Sequence, residues 1–212
     1  KGVVKADVKD DEHITVDIGE PELEPEKIPF VVPRETSAVA YKLKLDTSDK
    51  LSFEVTAVSM GNPHCVIFDD KGMLDSIKYN ISSHSSFFNA ELGNIARIIQ
   101  SHATFPESAN IEFVKVLGRD RVRCFVYERG CGFTLACASG AAAVVVAGVL
   151  TNRLDNKVTV ELPGGPLEVE YHATDKHVRI TGPAAEVFSG VSRLENLDSY
   201  LGKSRPLAEA SC

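Results

Sequence analysis

Apolar and polar positions alternate along most of this chain, and the long exception is a wholly apolar run that begins near residue 140. Val4, Ala6 and Val8 alternate with polar residues, residues 9–12 interrupt the pattern, and Ile14, Val16 and Ile18 resume it, which predicts two strands around a turn. A strand pattern this close to Lys1, with no methionine before it, leads us to expect preceding sequence. Pro21, Pro25, Pro29 and Pro33 exclude a helix and predict an extended crossing segment, read as running between lobes. Residues 39–45 and 51–58 read as a hairpin around Asp46-Thr47-Ser48-Asp49. Residues 71–94 have weak periodicity and a serine-rich patch at 82–86, which predicts a loop without function, and residues 95–100 look helical. Short strands are predicted at 111–116, 121–127, 158–162, 167–171 and 178–180, with a Pro163-Gly164-Gly165 turn among them. Residues 194–212 are polar and carry no strong pattern.

The run from Ala141 to Leu150 is apolar on every side and rich in alanine, so it predicts a helix buried all round, with Ser139 and Gly140 punctuating its start. Cys137 then stands where a helix begins. Unpaired amides and the helix dipole there favour negative charge, which predicts a lowered thiol pKa and a socket for a carboxylate. The alternative is a small apolar residue packed against the helix start. The preceding strand places Val122, Cys124 and Val126 on one face, which makes Cys124 a core residue by pattern. That strand ends in Glu128-Arg129, directly before the glycine-flanked turn Gly130-Cys131-Gly132.

Upstream, Met60-Gly61-Asn62-Pro63-His64-Cys65 is a polar knot running into a strand. Pro63 keeps Asn62 out of the helical region, and strand geometry sends His64 and Cys65 to opposite faces, so they are no local dyad. His64 reads equally as a site residue or a satisfied structural histidine, since no carboxylate lies near it in sequence. Asn110, at a strand mouth, reads as a polar contact or an ordinary turn asparagine.

Composition narrows the class. With 212 residues, 43% of them hydrophobic, the chain is long enough for a packed core, and a formal charge of -7 gives no basic footprint for nucleic acid or an anionic membrane. The apolar core of the helix is shorter than the roughly 20 residues of a membrane span. Five cysteines with no CxxC pair predict a reducing, cytoplasmic setting, and six scattered histidines lack the spacing of a metal site. No phosphate loop or dinucleotide fingerprint is present in the sequence. A small-molecule partner is expected. The strand-rich order around one hydrophobic helix predicts an α+β fold, a curved sheet wrapped on a central helix.

Met60-Gly61-Asn62-Pro63-His64-Cys65-Val66, Phe105-Pro106-Glu107-Ser108-Ala109-Asn110-Ile111-Glu112-Phe113, Tyr127-Glu128-Arg129-Gly130, Thr134-Leu135-Ala136-Cys137-Ala138-Ser139-Gly140-Ala141 and Glu161-Leu162-Pro163-Gly164-Gly165 together resemble diaminopimelate epimerase, and Thr181-Gly182-Pro183-Ala184 resembles its closing signature. The resemblance implies two similar lobes, each a curved, mainly antiparallel sheet around a buried helix. Residues 1–48 would end the first lobe, residues 49–190 would form the second with its helix at about 139–151, and 191–212 would be a C-terminal segment.

It further implies a cytoplasmic isomerase of lysine and peptidoglycan precursor biosynthesis that interconverts LL- and meso-diaminopimelate without pyridoxal phosphate, metal or other cofactor; a homodimer is compatible with it. Two cysteines would act on opposite faces of the α-carbon, one thiolate taking the proton and the other thiol returning one. Cys137 would be one of them. Ala138 and Ser139 would offer amides to the α-carboxylate, Asn62 and Asn110 would hold the distal end, Glu128 would meet the ammonium and Arg129 the distal carboxylate, and His64 and Glu128 would tune the thiols. This sequence departs from the family in three places: the N-terminal Cys-Gly-Asn-Gly type motif with the other cysteine is absent, Ala138 replaces a glycine, and the region from Leu74 to Asn94 is longer. These 212 residues alone are therefore expected to be inactive. Two rivals are a related racemase or isomerase of the same superfamily, against which the cation Arg129 argues, and a non-catalytic ligand-binding half-site.

Overall fold

The alternating segments become strands, and they join into one sheet. In a computed structural model that describes residues 4–11, 13–45, 51–75, 90–172 and 174–190, the order is β1 (Lys5–Asp10), β2 (His13–Asp17), a 3-10 turn (Pro25–Lys27), β3 (Tyr41–Lys44), β4 (Ser52–Ser59), β5 (Pro63–Phe68), α1 (Ala90–Gln100), β6 (Asn110–Gly118), β7 (Arg121–Glu128), β8 (Gly132–Thr134), α2 (Ala138–Leu150), β9 (Lys157–Leu162), β10 (Gly165–Tyr171) and β11 (Val178–Gly182). The sheet runs β1-β2-β11-β10-β9-β7-β6-β5-β4-β3, with β8 added to β7. Neighbours are antiparallel except β5 with β6 and β7 with β9. The architecture is α+β.

Period-two alternation sorts the central strands onto two faces. Cys65, Ile67, Ile111, Phe113 and Phe125 pack on one side with Leu92, Ile95 and Ile99 of α1. Val66, Val114, Val122, Cys124 and Val126 pack on the other beneath α2. Because α2 touches β4, β5, β6, β9, β10 and β11, the sheet curves round it. Residues 140–148 of α2 are all buried, as a helix with no polar face requires. Each of its fully buried valines, Val144, Val145 and Val146, contributes about 1.5–3 kcal/mol on an area basis, an upper value.

Several expectations shift. The helix predicted at 95–100 begins at Ala90, because Leu92 and Gly93 are buried against the rest of the chain and Gly93 lies beside the Phe133 ring. The three-residue β8 had no sequence signal, being held by backbone pairing to β7. The proline segment is shorter in reach than a crossing implies: it carries the 3-10 turn, bridges Glu22 to Ser59, and buries Ile28 and Phe30. β3 and β4 pair as expected, with Lys44 opposite Ser52; their turn, the serine patch at 82–86 and residues 191–212 lie outside the described residues. The sheet is continuous across the expected boundary at residue 48, since β2 pairs with β11 and β3 with β4.

Candidate active site

Register brings the polar positions to one end of three adjacent strands. His64 on β5 lies opposite Asn110 on β6, and Ile111 lies opposite Tyr127, so Asn62, His64, Asn110 and Glu128 gather at neighbouring strand ends. Even-numbered residues of these strands share the α2 face, so His64 turns toward α2 while Cys65 turns to the other core. The tight turn after β7 places Gly130 and Gly132 at φ 82 and 78, a region that favours glycine, and folds β8 back. Thr134 on β8 then donates its hydroxyl to Glu128 Oε1 at 2.5 Å, fixing that carboxylate.

The helix cap differs in detail from the expectation. Cys137 itself is the N-cap, in extended conformation with no side-chain capping bond, and its carbonyl accepts from Ala141 N–H at 2.9 Å. Ser139 and Gly140 therefore belong to the first turn, not to the cap. Ala138 is exposed and Ser139 half-buried, so the start of the helix opens outward while Cys137 is 9% exposed. The Cys137 sulfur lies 3.5 Å from Ser139 Oγ. The loop before it is gripped by the β9–β10 turn, where Gly164 donates its N–H to the Leu135 carbonyl at 2.7 Å, an approach so close that a Cβ on Gly164 would meet that oxygen at 3.0 Å.

The expected lowering of the Cys137 pKa does not occur. Burial pushes the thiol up, and the charges of Glu112 and Glu128 push the same way, against the Ser139 hydroxyl and the Gly140 amide. Desolvation outweighs the helix terminus because the sulfur faces little water and two carboxylates lie near it. Burial first, and Glu112 second, also hold Cys65 and Cys124 well above the usual thiol range.

The carboxylate that orients His64 is Glu112, 48 residues away in sequence, and its Oε1 accepts from His64 Nδ1 at 2.7 Å. Both side chains are fully buried. His64 Nε2 lies 3.1 Å from Asn62 Oδ1. Glu112 Oε2 is buried with no hydrogen-bond partner among the described residues, an arrangement that costs about 1–3 kcal/mol or more for a charged group. Sequence reasoning gave Glu112 no role; the one available signal was a carboxylate inside the apolar strand Ile111-Glu112-Phe113-Val114. Asn110, 6% exposed, accepts from the Arg129 main-chain N–H at 2.9 Å. The Arg129 guanidinium is exposed and donates to the Glu107 carbonyl at 2.8 Å. Asn62, His64 and Glu112 thus form one connected set, Asn110 and Arg129 a second, and Glu128 and Thr134 a third, with Cys137 in the field of both carboxylates. Among the described residues no three His, Cys, Asp or Glu side chains cluster as metal ligands, and no helix is long and apolar enough to cross a membrane.

Residues 56–187, which contain all of these positions, match the family model of diaminopimelate epimerase. The chain belongs to the diaminopimelate epimerase family. It is 40% identical over 195 residues to the chloroplastic diaminopimelate epimerase of Oryza sativa subsp. japonica, covering 89% of this chain and 51% of that protein. It is 42% identical over 193 residues to the diaminopimelate epimerase of Synechocystis sp., covering 91% and 63%. The chain therefore spans between about half and just under two thirds of the length of these relatives. In fold it is similar to the crystal structure of a hydroxyproline epimerase from Agrobacterium vitis, with a TM-score of 0.55 at 11% identity over 85% of this chain and 53% of that one.

Proposed function

We propose that this chain carries one half of a diaminopimelate epimerase active site, in which Cys137 is one of two thiol acid/bases acting on opposite faces of the α-carbon. The observation that carries the reading is Cys137 as N-cap of a buried helix, beside the strand ends that hold Asn62, His64, Asn110 and Glu128. An α-proton is weakly acidic, so its removal needs a dry pocket and fixed donors that stabilise the carbanion-like transition state. The first-turn amides of Ala138 and Ser139 would grip the α-carboxylate, and Glu128, held by Thr134, would meet the α-ammonium. Asn62 and Asn110 would hold the distal end of the substrate, and Arg129 its distal carboxylate. A thiol that burial keeps protonated suits the proton-returning role, and His64 would tune the thiol on the opposite face. Residues 1–48 would close a first lobe and 49–190 form the second, so the opposing cysteine would come from a first lobe fuller than these residues provide. The reaction is isomerisation without pyridoxal phosphate or metal, with the chemistry on side chains alone.

The test is solvent deuterium incorporation at the α-carbon of diaminopimelate. A protein carrying both lobes should exchange and epimerise, its Cys137→Ala variant should do neither, and a polypeptide of these 212 residues should fold without turnover. Unchanged exchange in the Cys137→Ala protein would remove Cys137 from the chemistry.

A further inference from the structure

β6 turns Glu112 into the layer beneath α2, between Val66 and Val126 on the flanking strands. An apolar residue would fill this place without desolvating a charge, so the carboxylate opposes stability and calls for a compensating use. Oε1 holds His64 Nδ1 at 2.7 Å and His64 Nε2 lies 3.1 Å from Asn62 Oδ1, so the ring sits between two oxygen atoms. Gly140, in the first turn of α2, leaves the room this needs: a Cβ there would lie 2.9 Å from Oε1. The carboxylate thus rests against the first turn of α2.

We propose that Glu112 is a positioning residue of this site, which fixes the His64 ring and through it the orientation of the Asn62 amide. With Oδ1 of Asn62 turned toward the ring, the amide N–H groups are the ones left to face a ligand. An N–H donor selects an acceptor such as a carboxylate oxygen and offers nothing to an ammonium. Glu112 therefore sets the polarity that Asn62 presents without touching the ligand. The structural half of this proposal is independent of the reaction; its kinetic consequence rests on the diaminopimelate reading.

The experiment compares Glu112→Gln, whose amide oxygen still accepts from Nδ1, with Glu112→Leu, which accepts nothing. In side-chain nitrogen NMR of the 212-residue chain, the parent and the Gln variant should show a slowly exchanging His64 Nδ1–H. The Leu variant should lose it and shift the Asn62 amide resonances. In a protein that also carries the opposing lobe, Glu112→Leu should raise KM for diaminopimelate roughly five- to tenfold with kcat within about twofold, the effect of one hydrogen bond. Glu112→Gln should restore the parent KM. A packing defect alone would lower kcat through the active fraction at constant KM. That pattern, or unchanged His64 and Asn62 resonances in the Leu variant, overturns the proposal. Should Glu112→Leu not fold, Glu112→Asp, which withdraws the carboxylate by one methylene, makes the same comparison. A parent protein inert toward diaminopimelate would remove the functional reading, and the resonances would still decide the relay.

Discussion

Gly140→Ala tests how tightly the helix start is fitted to the site. Alanine in place of glycine within a helix ordinarily stabilises by roughly 0.5–1 kcal/mol. Here the added methyl would stand 2.9 Å from Glu112 Oε1 and 3.3 Å from both Cβ and Sγ of Cys137. The oxygen is the free end of a side chain, but the 2.7 Å bond to His64 pins it. Overpacking costs about 1–3 kcal/mol, and displacing a hydrogen bond to a charged group costs about 1.5–3 kcal/mol if the bond is lost. The steric side wins, for a net loss of about 1–3 kcal/mol. Urea unfolding of the parent, Gly140→Ala, Glu112→Ala and the double variant measures it. With residue 112 truncated, the methyl meets only the Cys137 contacts, so the cost of Gly140→Ala should fall to within about 0.5 kcal/mol of zero. Costs that add to within about 0.5 kcal/mol mean no coupling, and would refute the contact between the helix start and Glu112.

Three further outcomes are expected. Alkylation at pH 7 to 8, followed by mass mapping, should label exposed Cys131 well before Cys137, because burial holds the Cys137 thiol up; faster labelling of Cys137 would mean that the helix terminus prevails after all. The same raised pKa means folding favours the protonated thiol, so the stabilisation is complete below the usual value of 9.0 and is lost as pH rises through the folded value. Arg129→Lys keeps the charge but loses the planar fork and its bond to the Glu107 carbonyl, so diaminopimelate affinity in a two-lobed protein should fall about five- to tenfold. Equal calorimetric affinities would take Arg129 out of the site.

What could be read in advance follows from how far each signal reaches along the chain. The helix start at Cys137 was legible because an apolar run and a Ser-Gly pair are local features, and the faces of Cys65 and Cys124 followed from alternation. Glu112 was not legible as a partner. Its alternation with Val114 marks only a shared face, and His64 meets it through the β5–β6 register, which no local pattern encodes. The sign of the Cys137 shift failed for a related reason. A helix N-terminus is visible in sequence, whereas burial and the approach of two carboxylates arise only when distant strands converge. The start of α1 escaped because Gly93 and Asn94 are poor helix formers, and the segment is set by tertiary packing. The β2–β11 pairing, with Asp17 opposite Arg179, joins segments about as far apart as the chain allows.

The apolar body of α2 has one more consequence. An amphipathic helix finds its rotation by polarity, but a helix with no polar face has nothing of that kind to steer by. Its rotational setting is decided by bulk: Gly140 gives way to Glu112 at one end, and Gly148 gives way to Leu154 at the other, where a Cβ would lie 2.3 Å from a Leu154 methyl. These two notches, eight positions apart, lie about 80° from each other around the cylinder. A turn of one residue, about 100°, would bring Ala141 and Val149, or Ser139 and Ala147, to these two places and put a side chain into each. The direction in which Cys137 points is thus keyed by two missing side chains, and exchanges between alanine and valine along α2, neutral in hydropathic pattern, become changes in the aim of the sulfur.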